Sequence, residues 1–199
     1  MKDIIQLSDS LIVGKGRDRI CYEHPGQQNL CIKLSFRSDK QSKREIRYFN
    51  YLTKKNKDLS KISCFISMVN TDKGNAYIFE LIRDNNGHVS RTLRQCLESK
   101  VFPLEYICPQ LIELKNYLIS NKICVRDISP SNICCKKTLT GFNLYIIDGV
   151  SNPTINPFNI RIQRLLNNSI NKAWMGLDRK LARIEKSLTI TDDNETNSL

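Results

Sequence analysis

Apolar residues in the first third of the chain come in short runs set apart by turn-rich clusters. Ile4-Ile5-Gln6-Leu7 and Leu11-Ile12-Val13 lead into Gly14-Lys15-Gly16-Arg17-Asp18-Arg19, and Leu30 to Leu34 follows a dense turn cluster at 24–29. Runs this short, bounded by Gly, Pro, Asn and Asp, predict a small antiparallel meander. From Asp39 to Asn56 the period changes. Ile46, Phe49 and Leu52 recur at helical spacing with Tyr48 beside them, which predicts a helix. Residues 64–69 and 76–82 then read as two strands across the turn Thr71-Asp72-Lys73-Gly74-Asn75.

The stretch 83–88, Arg-Asp-Asn-Asn-Gly-His, breaks the pattern, and a boundary is expected there. Behind it, residues 92–98 predict a short helix. Leu104, Ile107, Cys108, Leu111, Leu114 and Leu118 step by three and four along a longer one. Residues 133–136 and 143–147 predict a small hairpin around 138–141, and 148–157 reads as irregular. Ile162, Leu165, Leu166, Ser169 and Ala173 mark another helix, and Leu177, Leu181, Ile184 and Leu188 a last one. The acidic end, 191–199, reads as a disordered tail. Strands at the front and helices at the back make an α+β plan.

Composition narrows the partners. The chain has 199 residues, 40% of them hydrophobic, enough for one substantial core or two small lobes. Its net charge is +11, which suits anionic partners. The basic residues concentrate at 33–61 and 161–188, where they cover a solvated face or meet an anionic substrate or partner. Neither a helix-turn-helix nor aromatics interleaved with basic residues is evident, so nucleic acid is not an expected partner. The eight cysteines form no Cys-x-x-Cys pair and mostly sit in apolar runs, as small buried hydrophobes of a reducing compartment do. The first residues lack a signal peptide's apolar core, and no run approaches a membrane span. A soluble cytoplasmic protein is the expectation.

Five polar features carry candidate chemistry. Gly14-Lys15-Gly16 lies between strands, where a tight turn or a loop over phosphates would use the same glycines. Lys33 sits late in an apolar strand, either as an edge lysine or with an acidic partner and an anion. Glu45 shares a helix face with Tyr48, Phe49 and Leu52, and a carboxylate on that face wants a cation. Asp127, in Val125-Arg126-Asp127-Ile128-Ser129-Pro130-Ser131-Asn132, is a proton acceptor or ligand anchor, and Asn132 a neutral oxygen ligand suited to Mg²⁺. Asp148 ends an apolar strand before Gly149, which suits a second metal ligand.

In order, these features resemble the protein-kinase signature set. Leu30 to Leu34 resembles its β-strand lysine motif, with Lys33 in place. Glu45 matches the helix glutamate, Asp127 the catalytic-loop base, and Asn132 and Asp148 the metal-binding pair. Glu80 to Ile82 falls where the family's hinge reads adenine through backbone groups. The strings at 14–25, 30–33, 44–49, 79–84 and 125–132 are closer still to the bacterial YrbL-like family named for the PhoP regulatory network.

The resemblance implies a compact two-lobed kinase-like fold. A β-rich N-lobe would span 1–83 and a reduced helical C-lobe 84–190. It also implies ATP and Mg²⁺ as cofactors and ATP-dependent phosphoryl transfer to an unknown acceptor. Gly14 and Gly16 would approach the phosphates, Lys33, oriented by Glu45, would pair with their oxygens, and Arg126 would fix the loop or meet an anion. The chain departs from the pattern at Arg19, in place of the third glycine, and at Val125, in place of His. It also lacks the Phe of the Asp-Phe-Gly motif and the Ala-Pro-Glu string. The alternative is a pseudokinase-type nucleotide-binding or scaffold module without turnover.

Overall fold

Side chains alternate across a strand. Along Leu30–Ser35, Cys31 and Lys33 face one side, Ile32 and Leu34 the other, and all four are buried. This strand therefore lies mid-sheet with both faces covered. The computed structural model describes residues 4–38, 40–151 and 163–196. At the front, β1 (Ile12–Lys15), β2 (Arg19–Glu23), β3 (Leu30–Ser35), β4 (Phe65–Thr71) and β5 (Gly74–Glu80) form one antiparallel sheet in the order β1-β2-β3-β5-β4. One face packs Tyr22, Ile32, Leu34, Ala76 and Ile78 against Leu7. The other meets α1 (Lys40–Lys54), whose buried stripe is Ser42, Glu45, Tyr48, Phe49 and Leu52.

The back part begins with β6 (Arg91–Thr92) and α2 (Leu93–Glu98), where Thr92 and Gln95 form a reciprocal capping box. Then come α3 (Leu104–Asn121), the hairpin β7 (Ile133–Lys137) and β8 (Phe142–Ile146), and α4 (Gln163–Thr196). A second antiparallel sheet runs β6-β7-β8. The chain is thus a mixed α+β protein with a sheet-rich front and four helices among the described residues. One core joins the parts. Phe79 and Leu52 from the front share it with Leu114, Ile133, Ile170, Trp174 and Leu177 from the back. Residues 61–63 add a seam, with Ser63 N–H donating to the Ile146 carbonyl at 2.8 Å and Ile146 N–H to that of Lys61 at 3.0 Å.

Three expectations need correction. Ile4 to Leu7 makes one bridge, Ile5 to Thr71, rather than a strand. The two terminal helices are one, because Gly176 between their apolar stripes is an isolated glycine, which weakens a helix without ending it. That helix continues to Thr196, so most of the acidic stretch expected to be disordered is helical. Residues 152–157, Ile162 and 197–199, for which irregular, helical and disordered structure are expected, lie outside the described residues. All eight cysteines are free thiols, and Cys108 is exposed on α3 while Ile107 and Leu111 are buried. Among the described residues no helix is long and apolar enough to cross a membrane.

Candidate functional site

A cleft of about 980 Å³ opens between the front sheet and the back hairpin. Eight of the residues singled out from sequence line it: Gly14, Gly16, Lys33, Glu80, Ile82, Asp127, Asn132 and Asp148. They come from β1 and the turn after it, β3, the end of β5 and the segment just beyond, and the two loops flanking the β7-β8 hairpin. Glu45 stands behind them, 2% exposed on the buried face of α1.

The charges beside β3 pair differently from the sequence expectation. Lys33 does not form its ion pair with Glu45. Its ammonium donates to the Ile147 carbonyl at 2.6 Å and lies 4.0 Å from the Phe79 ring centre. Glu45 instead accepts from Arg19 Nη1 at 2.7 Å, while Arg19 Nη2 donates to Asp148 Oδ1. The planar guanidinium can fork between two carboxylates, which a single ammonium does less well. One arginine on β2 therefore ties α1 to the loop after β8.

Electrostatics separate the two carboxylates. Burial pushes Glu45 up, Asp148 adds to it, and Lys33 with Arg19 offsets only part, so its pKa is raised. Burial also pushes Asp148 up, but Lys33, Arg19 and the Gly149 N–H outweigh it, so its pKa is lowered. Burial opposes the charge of Lys33, yet Asp148 and Glu45 prevail and raise its pKa.

Backbone bonds hold the loop carrying Asp127. Asn132 N–H donates to the Ser129 carbonyl and Ile147 N–H to the Asn132 carbonyl, both at 2.9 Å. Arg126 N–H reaches the Gly149 carbonyl and Arg94 N–H that of Pro130, again at 2.9 Å. Asn132 Nδ2 donates to the Asp127 carbonyl at 3.0 Å. Gly149 has φ +83°, and a Cβ there would overlap the Asp127 carbonyl oxygen. Only glycine brings the two segments so close. Lys180, on α4, donates to Asp127 Oδ1 at 3.1 Å and to the Ile128 carbonyl at 3.3 Å.

At the inner end, the Glu80 carbonyl accepts from Ser63 Oγ at 2.6 Å, and its carboxylate from Cys64 N–H at 3.0 Å. Leu81 N–H donates to the Asn29 carbonyl, and the Ile82 carbonyl accepts from Ser90 N–H. The Leu81 carbonyl and Ile82 N–H make no hydrogen bond among the described residues. At the outer end, neither Gly14 nor Gly16 has a positive φ, and a Cβ on Gly14 would meet nothing within 4 Å. No protein contact requires glycine at Gly14, and its open side belongs to the cleft.

Two hard oxygen donors, of a kind a divalent cation takes, face the cleft. With its Nδ2 on Asp127, Asn132 has its amide oxygen to offer, and Asp148 has Oδ2. One carboxylate and one amide oxygen suit Mg²⁺ completed by phosphates and water. Among the described residues no cluster of three His, Cys, Asp or Glu side chains closes a metal site by itself.

Sequence reasoning missed three contributors. Arg19 appears in it as a departure from the glycine pattern. Lys180 appears as one basic residue of a helix. Tyr48, whose hydroxyl accepts from Cys124 N–H at 2.8 Å and so ties α1 to the chain just before Asp127, appears as an apolar flank. The signal for Arg19 was in hand, since Glu45 is a buried carboxylate in need of a cation.

The family described as PhoP regulatory network protein YrbL matches residues 5–182. A protein of Escherichia coli (strain K12), "Uncharacterized protein YrbL", is 34% identical over 140 residues, 67% of this chain and 67% of that protein. The protein of the same name from Shigella flexneri matches to the same extent.

Proposed function

The chain belongs to the YrbL family of PhoP regulatory network proteins, and from that premise and the geometry of the cleft we propose that it is a kinase-like, ATP-dependent phosphotransferase. In this reading the front sheet with α1 is the N-lobe, the helices with the β6-β7-β8 sheet are the reduced C-lobe, and nucleotide lies between them. The observation that carries it is convergence: Lys33, the loop with Asp127 and Asn132, and Asp148 line one cleft with Gly14 and Gly16.

The Leu81 carbonyl and Ile82 N–H would receive the adenine edge. Lys33 would turn from the Ile147 carbonyl to phosphate oxygens, and the turn at Gly14–Gly16 would cover them. Asn132 and Asp148 would hold magnesium, which would supply charge neutralisation for the phosphates. Asp127 orients the acceptor hydroxyl and takes its proton at a carboxylate oxygen. Positioning and charge complementarity supply most of the rate gain. Basic residues at the mouth, Lys15, Arg17, Arg91 and Arg94, favour an anionic acceptor.

Incubation with γ-labelled ATP, Mg²⁺ and fractionated extract tests the reading. Label should pass to an acceptor with wild type and drop at least about 100-fold with Asp127→Asn, as expected for loss of a general base. Equal labelling by both proteins removes Asp127 from that role. One observation favours the alternative, a nucleotide-binding module without turnover: cations of the chain already engage both Asp127 and Asp148. ATP binding with no transfer to any fraction would decide for it.

A further inference from the structure

Arg19 changes the charge balance of the cleft. Lys33 alone against Glu45 and Asp148 would leave one net negative charge around the candidate metal ligand. A fourth group, the Arg19 guanidinium, brings the set to zero before any ligand arrives. Its side chain is 12% exposed, and Nη1 and Nη2 each engage a different carboxylate. Its carbonyl accepts from Gly16 N–H at 2.8 Å, which anchors the turn beside it.

We propose that Arg19 is a positioning residue that keeps Asp148 from binding a divalent cation by itself, so that the cation enters only with the phosphates of a nucleotide. The inference rests on the reading of Asp148 as a metal ligand. Two physical consequences follow from the contacts. A divalent ion approaching Asp148 alone meets a neutral cluster and a fixed guanidinium, and gains little Coulomb energy. An ion carried by a polyphosphate brings anionic oxygens that give the guanidinium and Lys33 new partners. Because the same guanidinium holds Glu45, entry of the metal–nucleotide pair also reports to α1.

Mn²⁺ serves as the probe, titrated without nucleotide and followed by electron paramagnetic resonance of the free ion. Wild type should bind it weakly. Arg19→Gly should bind it at least about tenfold more tightly, and Arg19→Gly combined with Asp148→Asn should lose that gain. Arg19→Lys, which restores a cation, should return towards wild type. Should Arg19→Gly not fold with Glu45 unpaired, Arg19→Gln removes the charge while keeping hydrogen bonds, and the same gain is expected. Equal Mn²⁺ affinity in wild type and the charge-removing variants overturns the proposal, whether that affinity is high or nil. A second titration with ATP present separates the two readings. A gain of bare Mn²⁺ binding with no ATP binding in any variant leaves Arg19 as the group that blocks the bare cation, and removes the entry with nucleotide together with the phosphotransferase. ATP·Mn²⁺ binding by all variants, with no difference for bare Mn²⁺, does the reverse.

Discussion

Around Asp127 the loop is tied across the cleft by its own backbone, whereas the turn at Gly14–Gly16, carried by the β1–β2 ladder, is tied across the cleft by one side chain. On the lower side, four backbone hydrogen bonds of 2.9 Å link residues 126–132 to each other, to α2 and to the strand end at 147–149. On the upper side, Gly16 N–H meets the Arg19 carbonyl, and the Arg19 guanidinium crosses to Glu45 and Asp148. Backbone contacts of that kind persist whether or not a ligand is present. An ion pair can be exchanged for phosphate oxygens. The groups proposed for proton and metal chemistry thus sit on a loop fixed across the cleft by backbone, and the turn proposed to close over phosphates is joined to the far side by an ion pair that a ligand can replace.

Glycines break the comparison most sharply. Gly149→Ala should cost about 3 kcal/mol, because positive φ and overlap with the Asp127 backbone act together. Gly14→Ala should stay within about 0.5 kcal/mol of wild type, its Cβ meeting nothing, while weakening ATP binding. Urea unfolding of both variants, with a nucleotide titration, checks the pair, and similar stability losses would erase the distinction between the two sides.

Next in size is Arg19→Ala. Removing one partner of a buried charge pair costs about 3 kcal/mol, but Asp148 is partly exposed and Lys33 stands near Glu45, so about 2 kcal/mol is expected. Adding Glu45→Gln should recover part of the loss, which a double-mutant cycle measures. Strict additivity would mean that the pair does not couple the two elements.

Acid titration sharpens the contrast between the two carboxylates on Arg19. The folded pKa of Asp148 is lowered, so its stabilisation is present above its ordinary pKa near 3.8 and is lost as pH falls through the folded value. That of Glu45 is raised, so its contribution is present below about 4.5 and lost as pH rises through the folded value. Relative to wild type, Asp148→Asn should therefore become more destabilising as pH rises towards the ordinary carboxylate value near 3.8, and Glu45→Gln less destabilising above about 4.5. Parallel profiles would contradict the opposite shifts.

Lys180→Met should cost less stability than Arg19→Ala. Its pair with Asp127 is exposed and should be worth under about 1 kcal/mol. Phosphoryl transfer should nonetheless fall by about tenfold, since Lys180 touches the proposed base. Unchanged transfer would make the contact a surface ion pair and nothing more.

Much of this arrangement was legible in the sequence. The helical period of α1 put Glu45 on the face of Tyr48, Phe49 and Leu52, and all four are buried. The strand alternation around Lys33 marked a lysine in an apolar setting, and it is 8% exposed. Pairing was not legible. Arg19 finds partners 26 and 129 residues away, and a charge just after a turn reads locally as a solvated edge. Lys180 meets Asp127 across 53 residues because α4 packs back along α2 and α3, a placement set by tertiary contacts rather than by local pattern. The single terminal helix was missed because a glycine inside a helical pattern looks like a break, although packing of Trp174 and Leu177 carries the helix through it.

Nucleotide binding is the claim on which the rest depends, and calorimetric titration of the full chain with ATP and Mg²⁺ measures it most directly. Wild type should bind with one site per chain, and Lys33→Ala should bind at least about tenfold more weakly, as expected for loss of a charge-assisted phosphate contact. No heat of binding in either protein, with both folded, would contradict the assignment of the cleft.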